Sequence, residues 1–203
     1  MTIEAQENEI TVAILDNNIF SCGAIVCALK DYSFIKRVLL YHNSTDFIDS
    51  LSRGTVFNKV FLAFDLIEFN MFSTLDIIID YYPNIDIVVV MSKPSINTVS
   101  LILSMGVKIV ISEFDQVNCL HDVISFGGKG FFLSPAISNI CLIKSFRIKI
   151  LTKMERYVFN LLLNGLSPKI ISLRMGISVK TVSTHKSRAL KKINISHITE
   201  LYL

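Results

Sequence analysis

Leu151-Thr152-Lys153-Met154-Glu155-Arg156 opens the stretch that decides the fold, which runs on to Leu203. Thr152 followed three residues later by Glu155 has the spacing of a capping box, where hydroxyl and carboxylate each take up a backbone N–H at a helix start. Tyr157, Val158, Leu161 and Leu162 then recur at helical spacing, and Asn164-Gly165 is a stop. Ser167-Pro168 starts a second helix, since serine can cap and proline suits a first turn. Ile170, Ile171 and Leu173 are its expected buried side, and Gly176 closes it. Ser178 caps a third helix, Val179 to Ile193, whose Val182, Leu190 and Ile193 point one way. Two short helices with a glycine between them are a helix-turn-helix, and the second would enter a DNA major groove. A short fourth helix is expected over Ser196 to Leu203.

Charge separates this stretch from the rest. Residues 151–203 hold 9 Lys/Arg against 2 Asp/Glu, whereas residues 1–150 hold 11 against 15. A net of +7 after a net of −4 means that the tail is the part suited to a polyanion. The 203 residues suit two modest domains, and an apolar fraction of 51% with 18% charged residues leaves ample core. Apolar runs such as Ile85 to Met91 are too short for a bilayer and contain Asp86. Met1 to Glu9 is polar and acidic, unlike a secretory signal, so a cytoplasmic protein with no membrane partner is expected. Cys22, Cys27, Cys119 and Cys141 sit in apolar surroundings, lack metal-ligand spacing and are expected to be reduced core thiols.

Upstream, short β-branched runs alternate with helical patterns. Strands are expected at Ile10 to Leu15, Val38 to Tyr41, Val60 to Phe64, Ile87 to Met91 and Val107 to Ile111. Helices follow each, around Phe20 to Leu29, Asp46 to Leu51, Met71 to Tyr81, Pro94 to Ser104 and Val117 to Phe126. Strands that are apolar throughout imply a parallel sheet covered on both faces. The expected fold is thus an α/β doubly wound, five-stranded parallel sheet followed by an all-α helix-turn-helix domain of four helices. Residues 9–128 would form the sheet domain, 129–148 a partly helical linker with Lys144 and Arg147, and 149–203, starting at Lys149, the helical domain.

The tail resembles the DNA-binding domain of the LuxR/NarL/FixJ family of bacterial transcription regulators. Leu151 to Arg156 matches the family's opening, Gly165-Leu166-Ser167 its first turn, and Ser178 to His185 its recognition helix. The first half resembles the family's receiver domain, through Val12-Ala13-Ile14-Leu15-Asp16, Phe61-Leu62-Ala63-Phe64-Asp65 and Phe131-Phe132-Leu133-Ser134-Pro135.

That resemblance makes Asp65 the phosphoryl-acceptor position and Asp16 the first of an acidic pair that holds magnesium. The second acid is Asn17. The hydroxyl residue closing the fourth strand falls on Met91, with Ser92 one place beyond, and the lysine closing the fifth falls on Ser112 or Glu113. The usual Met-Pro after the acceptor is Glu68-Phe69. A glutamate in place of the lysine would repel phosphoryl oxygens. The implied domain is a pseudo-receiver used for dimerisation or partner binding, as in enterobacterial auxiliary regulators of capsule or fimbriae. No metal or cofactor is expected.

The resemblance also implies how the third tail helix meets DNA. Ser183, Thr184 and Ser187 would face base edges, where hydroxyls donate or accept and the threonine methyl can touch thymine. Lys180, Thr181, Lys186, Arg188, Lys191 and Lys192 would hold phosphates, and His185 could do either. The family's last helix pairs two DNA-binding domains; one domain cannot bury Ile198, Leu201, Tyr202 and Leu203, so a homodimer, or a heterodimer with a related regulator, is expected on double-stranded DNA.

The expected function is a phosphorylation-independent transcription regulator. The alternatives are a conventional response regulator phosphorylated on Asp65 and a non-DNA-binding inhibitor of another regulator. An enzyme is not expected: Gly23 stands alone after the first strand where a phosphate loop needs several glycines, and no nucleophile–base set is legible.

Overall fold

The computed structural model describes residues 9–65, 69–142 and 148–202, with the side chains of Phe69 and Asn70 left aside. Its sheet holds six parallel strands in the order β2-β1-β3-β4-β5-β6: β1 Ile10–Leu15, β2 Ile35–Tyr41, β3 Lys59–Ala63, β4 Asp86–Met91, β5 Ile109–Ser112 and β6 Phe132–Leu133. The expected count was five. The sixth lies in the stretch expected to be linker, where Phe132 N donates to Lys108 O and Ser134 N to Val110 O. Two residues between Gly130 and Pro135 carry too little strand pattern to be read as one.

Side chains alternate between two cores, as a strand's period of two requires. Val12, Ile14, Phe61, Val88, Val90, Ile109 and Ile111 pack with α1 (Ile19–Leu29) and α5 (Leu120–Ser125). Ala13, Leu15, Val60, Leu62, Val89, Met91 and Val110 face the other way, toward α2 (Ser44–Ser52), α3 (Phe69–Tyr81) and α4 (Ile96–Ser104). The fifth helix is shorter than expected because residues 113–119 are spent on turns. A further helix, α6 (Pro135–Leu142), follows β6.

The tail consists of α7 (Lys153–Leu163), α8 (Pro168–Met175), α9 (Val179–Ile193) and a 3-10 helix, Ile198–Tyr202. The last expected helix is therefore a tighter, shorter turn. In α8 only Ile171 and Ser172 are buried; Ile170 and Leu173, expected inside, are 53% and 76% exposed. The eight-residue α8 meets the bundle through Ile171, which packs with Val158, Leu161 and Val182, with Met175 partly buried against them.

The two domains share a core. The cluster on the α2–α4 side continues without a break into Leu151, Phe159, Ala189, Leu190, Ile193, Ile195 and Leu201 of the tail. The Phe72 and Phe159 rings meet across the seam with centroids 6.3 Å apart, tilted by 46°. Polar atoms there are matched. Arg156 Nε donates to Asp76 Oδ1 at 2.5 Å and its Nη2 to Asp80, while Lys153 pairs with Asp80 at 2.9 Å. Ser100 donates to the carbonyl of Ile193, Asn97 Nδ2 to that of Glu200 at 2.8 Å, and Leu151 N to that of Ser104 at 2.7 Å. Leu201, expected to need a second copy for its burial, is covered within the chain by contact of α4 with the 3-10 helix. Tyr202 stays 51% exposed, and Leu203 lies outside the described residues.

Candidate nucleic-acid interface and strand-end cavity

The helix-turn-helix is held in place by its caps. Glu155 Oε2 accepts from Thr152 N at 2.8 Å while Thr152 Oγ1 accepts from Glu155 N at 3.3 Å, completing the expected box. Ser167 and Ser178 cap α8 and α9, accepting from Ile170 N and Thr181 N. Gly176 (φ 65°) ends α8 in the left-handed region, and Asn194 (φ 67°) does the same for α9, a conformation asparagine tolerates. Val182 then packs into a small core with Val158, Leu161 and Ile171. This fixes how α9 is turned.

Opposite Val182, the residues Lys180, Ser183, Thr184, Ser187, Arg188 and Lys191 are exposed and line one broad, shallow concavity. All six belong to α9; no residue of the sheet domain lines it. Thr184 Oγ1 donates to Lys180 O at 2.9 Å. That bond occupies the hydroxyl proton and leaves the methyl and an acceptor oxygen for an outside group. Thr181 is half-buried with its hydroxyl 2.8 Å from that of Ser178, and Lys186 is half-buried. His185 is half-buried too, with Nδ1 enclosed and without a hydrogen-bond partner.

Lys192 sits differently from the other cations. Its Nζ donates to Ile150 O at 2.9 Å and to Glu155 Oε2 at 2.6 Å, tying the end of α9 to the start of α7. Burial works to raise the Glu155 carboxyl, but hydrogen bonds from Lys192 and the Thr152 backbone outweigh it and hold the group below its ordinary value. Lys149 is exposed, whereas Lys144 and Arg147 lie outside the described residues.

A second concave site lies at the carboxyl ends of β1 and β3. Adjacent crossovers there leave to opposite faces of the sheet, which opens a crevice. Its volume is about 220 Å³, and Asp16, Asn17, His42, Asp65, Ser92 and Glu113 are among its lining. Asp16 is buried; its Oδ1 accepts from Asn18 N at 2.8 Å, and its carbonyl accepts from Cys22 Sγ and lies 3.1 Å from His42 Nδ1. Met91 points into the core, and it is Ser92 that reaches the cavity. Ser112 is fully buried, its N–H donating to Ser134 Oγ at 3.0 Å, so Glu113 takes the place at the rim. No Lys or Arg lines the cavity among the described residues. Among the described residues, no group of three His, Cys, Asp or Glu side chains is placed to hold a metal ion. Glu68 lies outside the described residues.

Three features were not read from the sequence. His42 and Ser134 brace the strand ends through single hydrogen bonds, which leave no pattern in a chain. Asp76 and Asp80 had a usable signal, two acids four apart on an otherwise uncharged helix, but nothing in the sequence points from them to Arg156 across the seam.

A doubly wound sheet with its crevice at β1 and β3, joined to a capped helix-turn-helix with an open basic face, is the two-domain architecture that the resemblance implies. Residues 149–203 match the family model for bacterial regulatory proteins of the luxR family, and the chain carries a domain of that family. Among curated proteins, it is similar to the virulence-factor transcription regulator BvgA of Bordetella pertussis, 36% identical over 92 residues that cover 40% of this chain and 44% of BvgA. The fimbriae Z protein of Escherichia coli K12 is 35% identical, covering 43% of this chain and 44% of that protein. The regulatory protein UhpA of Salmonella typhimurium is 29% identical over 133 residues, 54% of this chain and 68% of UhpA. The chain thus spans less than half the length of the first two relatives. Among solved structures, the response regulator RcsB of Salmonella typhimurium superposes with a TM-score of 0.59 at 19% identity, over 94% of each chain. A structure of two RcsB dimers on two parallel DNAs gives 0.60 at 18%, again over 94% of each. At such identity the likeness is one of fold. No helix among the described residues is long and apolar enough to cross a membrane.

Proposed function

We propose that the chain is a DNA-binding transcription regulator that acts without phosphoryl transfer to Asp65, as a dimer or beside a related regulator. The observation that carries the first part is the α9 face: three short hydroxyl side chains flanked by three cations, all exposed in one concavity and free of the sheet domain. Cations fix register on phosphates and hydroxyls meet base edges. Ser183, Thr184 and Ser187 are the readers, with His185 beside them. Lys180, Arg188 and Lys191 are the phosphate contacts, with Thr181 and Lys186 at the margin and Lys192 positioning the helix. Short hydroxyls carry less sequence information than arginine, so the shape of the DNA or a partner supplies part of the specificity.

What supports independence from phosphorylation is the cavity's donor set. Magnesium needs hard anionic oxygens; Asn17 in place of a second acid removes one of them, and Glu113 at the rim, with no Lys or Arg in the described lining, leaves nothing to neutralise a phosphoryl group. Ser92 at the cavity favours the rival reading, a working acceptor at Asp65, because it restores a hydroxyl. Labelled acetyl phosphate and Asp65→Ala separate the two. The proposal expects no stable label on the intact chain and unchanged regulation of a reporter by the variant. Labelling together with loss of regulation at equal protein level would mean that the acceptor works. The DNA-binding reading itself is tested by selecting duplexes from a random pool with the intact chain, where a shared motif is expected and its absence defeats the reading.

A further inference from the structure

The crevice at the carboxyl ends of the strands has a lining that a phosphoryl group does not explain. Three of its residues are acids set beyond different strands: Asp16 follows β1, Asp65 comes shortly after β3, and Glu113 follows β5. The sheet runs β1-β3-β4-β5 in this region, and neighbouring strands lie about 4.8 Å apart. The backbones that carry Asp16 and Glu113 are therefore three spacings apart, about 14 Å. Between them the lining turns apolar, with Ala63 and Phe64 at the end of β3 and Val90 in β4. Negative charge thus stands at both ends of a short hydrocarbon strip.

We infer that the crevice is a binding site for an aliphatic diamine or polyamine. One ammonium sits by Asp16 and Asp65, the methylenes lie along Phe64 and Val90, and a second ammonium meets Glu113. The inference rests on the reading that Asp65 takes no phosphoryl group, and it names what the same crevice holds instead.

A point cation does not suit this lining, because among the described residues no group of three His, Cys, Asp or Glu side chains is placed around a metal ion. An ammonium asks for less: it has three donors and takes acceptors wherever they are within reach. Two ammonium groups on one methylene chain also sit well apart. Acceptors are at hand. Asp16, 8% exposed, gives Oδ1 to Asn18 N, and Asn17 and Ser92 bring further side-chain oxygens to the lining. A carbonyl only accepts, so His42 Nδ1 donates to that of Asp16, and the other nitrogen of the neutral ring is an acceptor. The first turn of α1 borders the crevice through Asn18 and Ser21, and its partial positive charge opposes a cation. Asn18 Oδ1 offsets this by accepting from Phe20 N and Ser21 N. A cleft of one sign with apolar walls focuses its field and concentrates counter-ions, and no Lys or Arg of the described lining competes for the acids. The volume of about 220 Å³ equals roughly seven waters at about 30 Å³ each, room for a short methylene chain whose charged ends reach the rim.

The test is a calorimetric titration of the intact chain at about 0.15 M salt. The probes are 1,4-diaminobutane, 1,5-diaminopentane and spermidine, with butylamine and 1,4-butanediol as counterparts that lack one charge or both. The tightest of the three amines should bind one per chain and at least about tenfold better than butylamine, and the diol should not bind. Glu113→Gln should weaken that amine about tenfold and leave butylamine within about twofold, because the monoamine sits at the Asp16 end. Asp16→Asn, whose amide oxygen still accepts from Asn18 N, should weaken both. A diamine that binds no better than butylamine overturns the inference, and so does one whose affinity neither variant changes. If Asp16→Asn fails to fold, the Glu113→Gln comparison decides alone. Magnesium with beryllofluoride, a stand-in for the phosphoryl group, separates two kinds of failure. Uptake of one per chain by the parent and none by Asp65→Ala means that the acceptor works, and the phosphorylation-independent reading falls together with the inference. No uptake of beryllofluoride and no binding of any amine leaves that reading standing and overturns the inference alone.

Discussion

Lys191 and Lys192 are adjacent on one helix and do different work. Lys191 is exposed in the α9 concavity, whereas Lys192 neutralises a buried glutamate at the start of α7. Sequence alone grouped them, because charge and spacing do not say which cation has an acid waiting for it. Lys192→Ala should therefore cost stability, about 3 kcal/mol for a buried carboxylate left without its partner, and a thermal or urea melt reads it directly. Lys191→Ala should leave the melt unchanged within about 0.5 kcal/mol. Glu155 adds a pH dependence with a definite sign. Its folded-state value lies below the ordinary 4.5, so it stabilises the fold above that pH and the contribution is lost as pH falls through the folded value. Glu155→Gln should be less stable than the parent at neutral pH, and the gap should narrow on acidification below about 4.5; a gap that widens contradicts the assignment.

At the level of elements, the caps made the tail legible. Thr152 with Glu155, Ser167 before Pro168, Gly176 and Ser178 each mark a boundary by local hydrogen bonding, and α9 spans Val179–Ile193 as read. The faces of short helices were less legible. Ile170 and Leu173 follow an apolar pattern, yet what covers a residue is decided by neighbours far away in sequence. The two-residue β6 was hidden for a related reason: its hydrogen bonds to the segment around β5 create it, and its own pattern is too short to announce it. The terminal 3-10 helix was expected to seek cover from a second copy, but α4 supplies that cover. Phe159→Ala, in the middle of α7 and fully buried, should cost about 3–5 kcal/mol. It should also loosen both domains together, seen as a single melting transition that shifts as a whole. Two separate transitions in the parent would contradict a shared core.

For the molecule as a whole, the sheet domain reads as a receiver in topology and departs from one in the chemistry of its crevice. The topology was legible because buried parallel strands show up as continuous apolar runs. The seam was not, since Arg156, Asp76 and Asp80 meet only after both domains have folded. Arg156→Met should disturb the whole molecule more than its place in a capped helix suggests, because it leaves two carboxylates facing each other at the seam. Burial, outweighing the guanidinium beside it, already pushes the Asp76 carboxyl above its ordinary value. Hydrogen exchange should show α3 and α7 losing protection together in that variant. The central claim is that α9 divides into readers and clamps, and the most direct measurement is a salt titration of DNA affinity for the parent, Lys191→Ala and Thr184→Ala on the selected duplex and on its single-base variants. Log affinity falls with log salt by roughly 0.9 per phosphate contact. Lys191→Ala should lower that slope by about one unit and keep the base preference. Thr184→Ala should keep the slope and change the preference. Equal effects of the two substitutions on slope and preference would contradict the account.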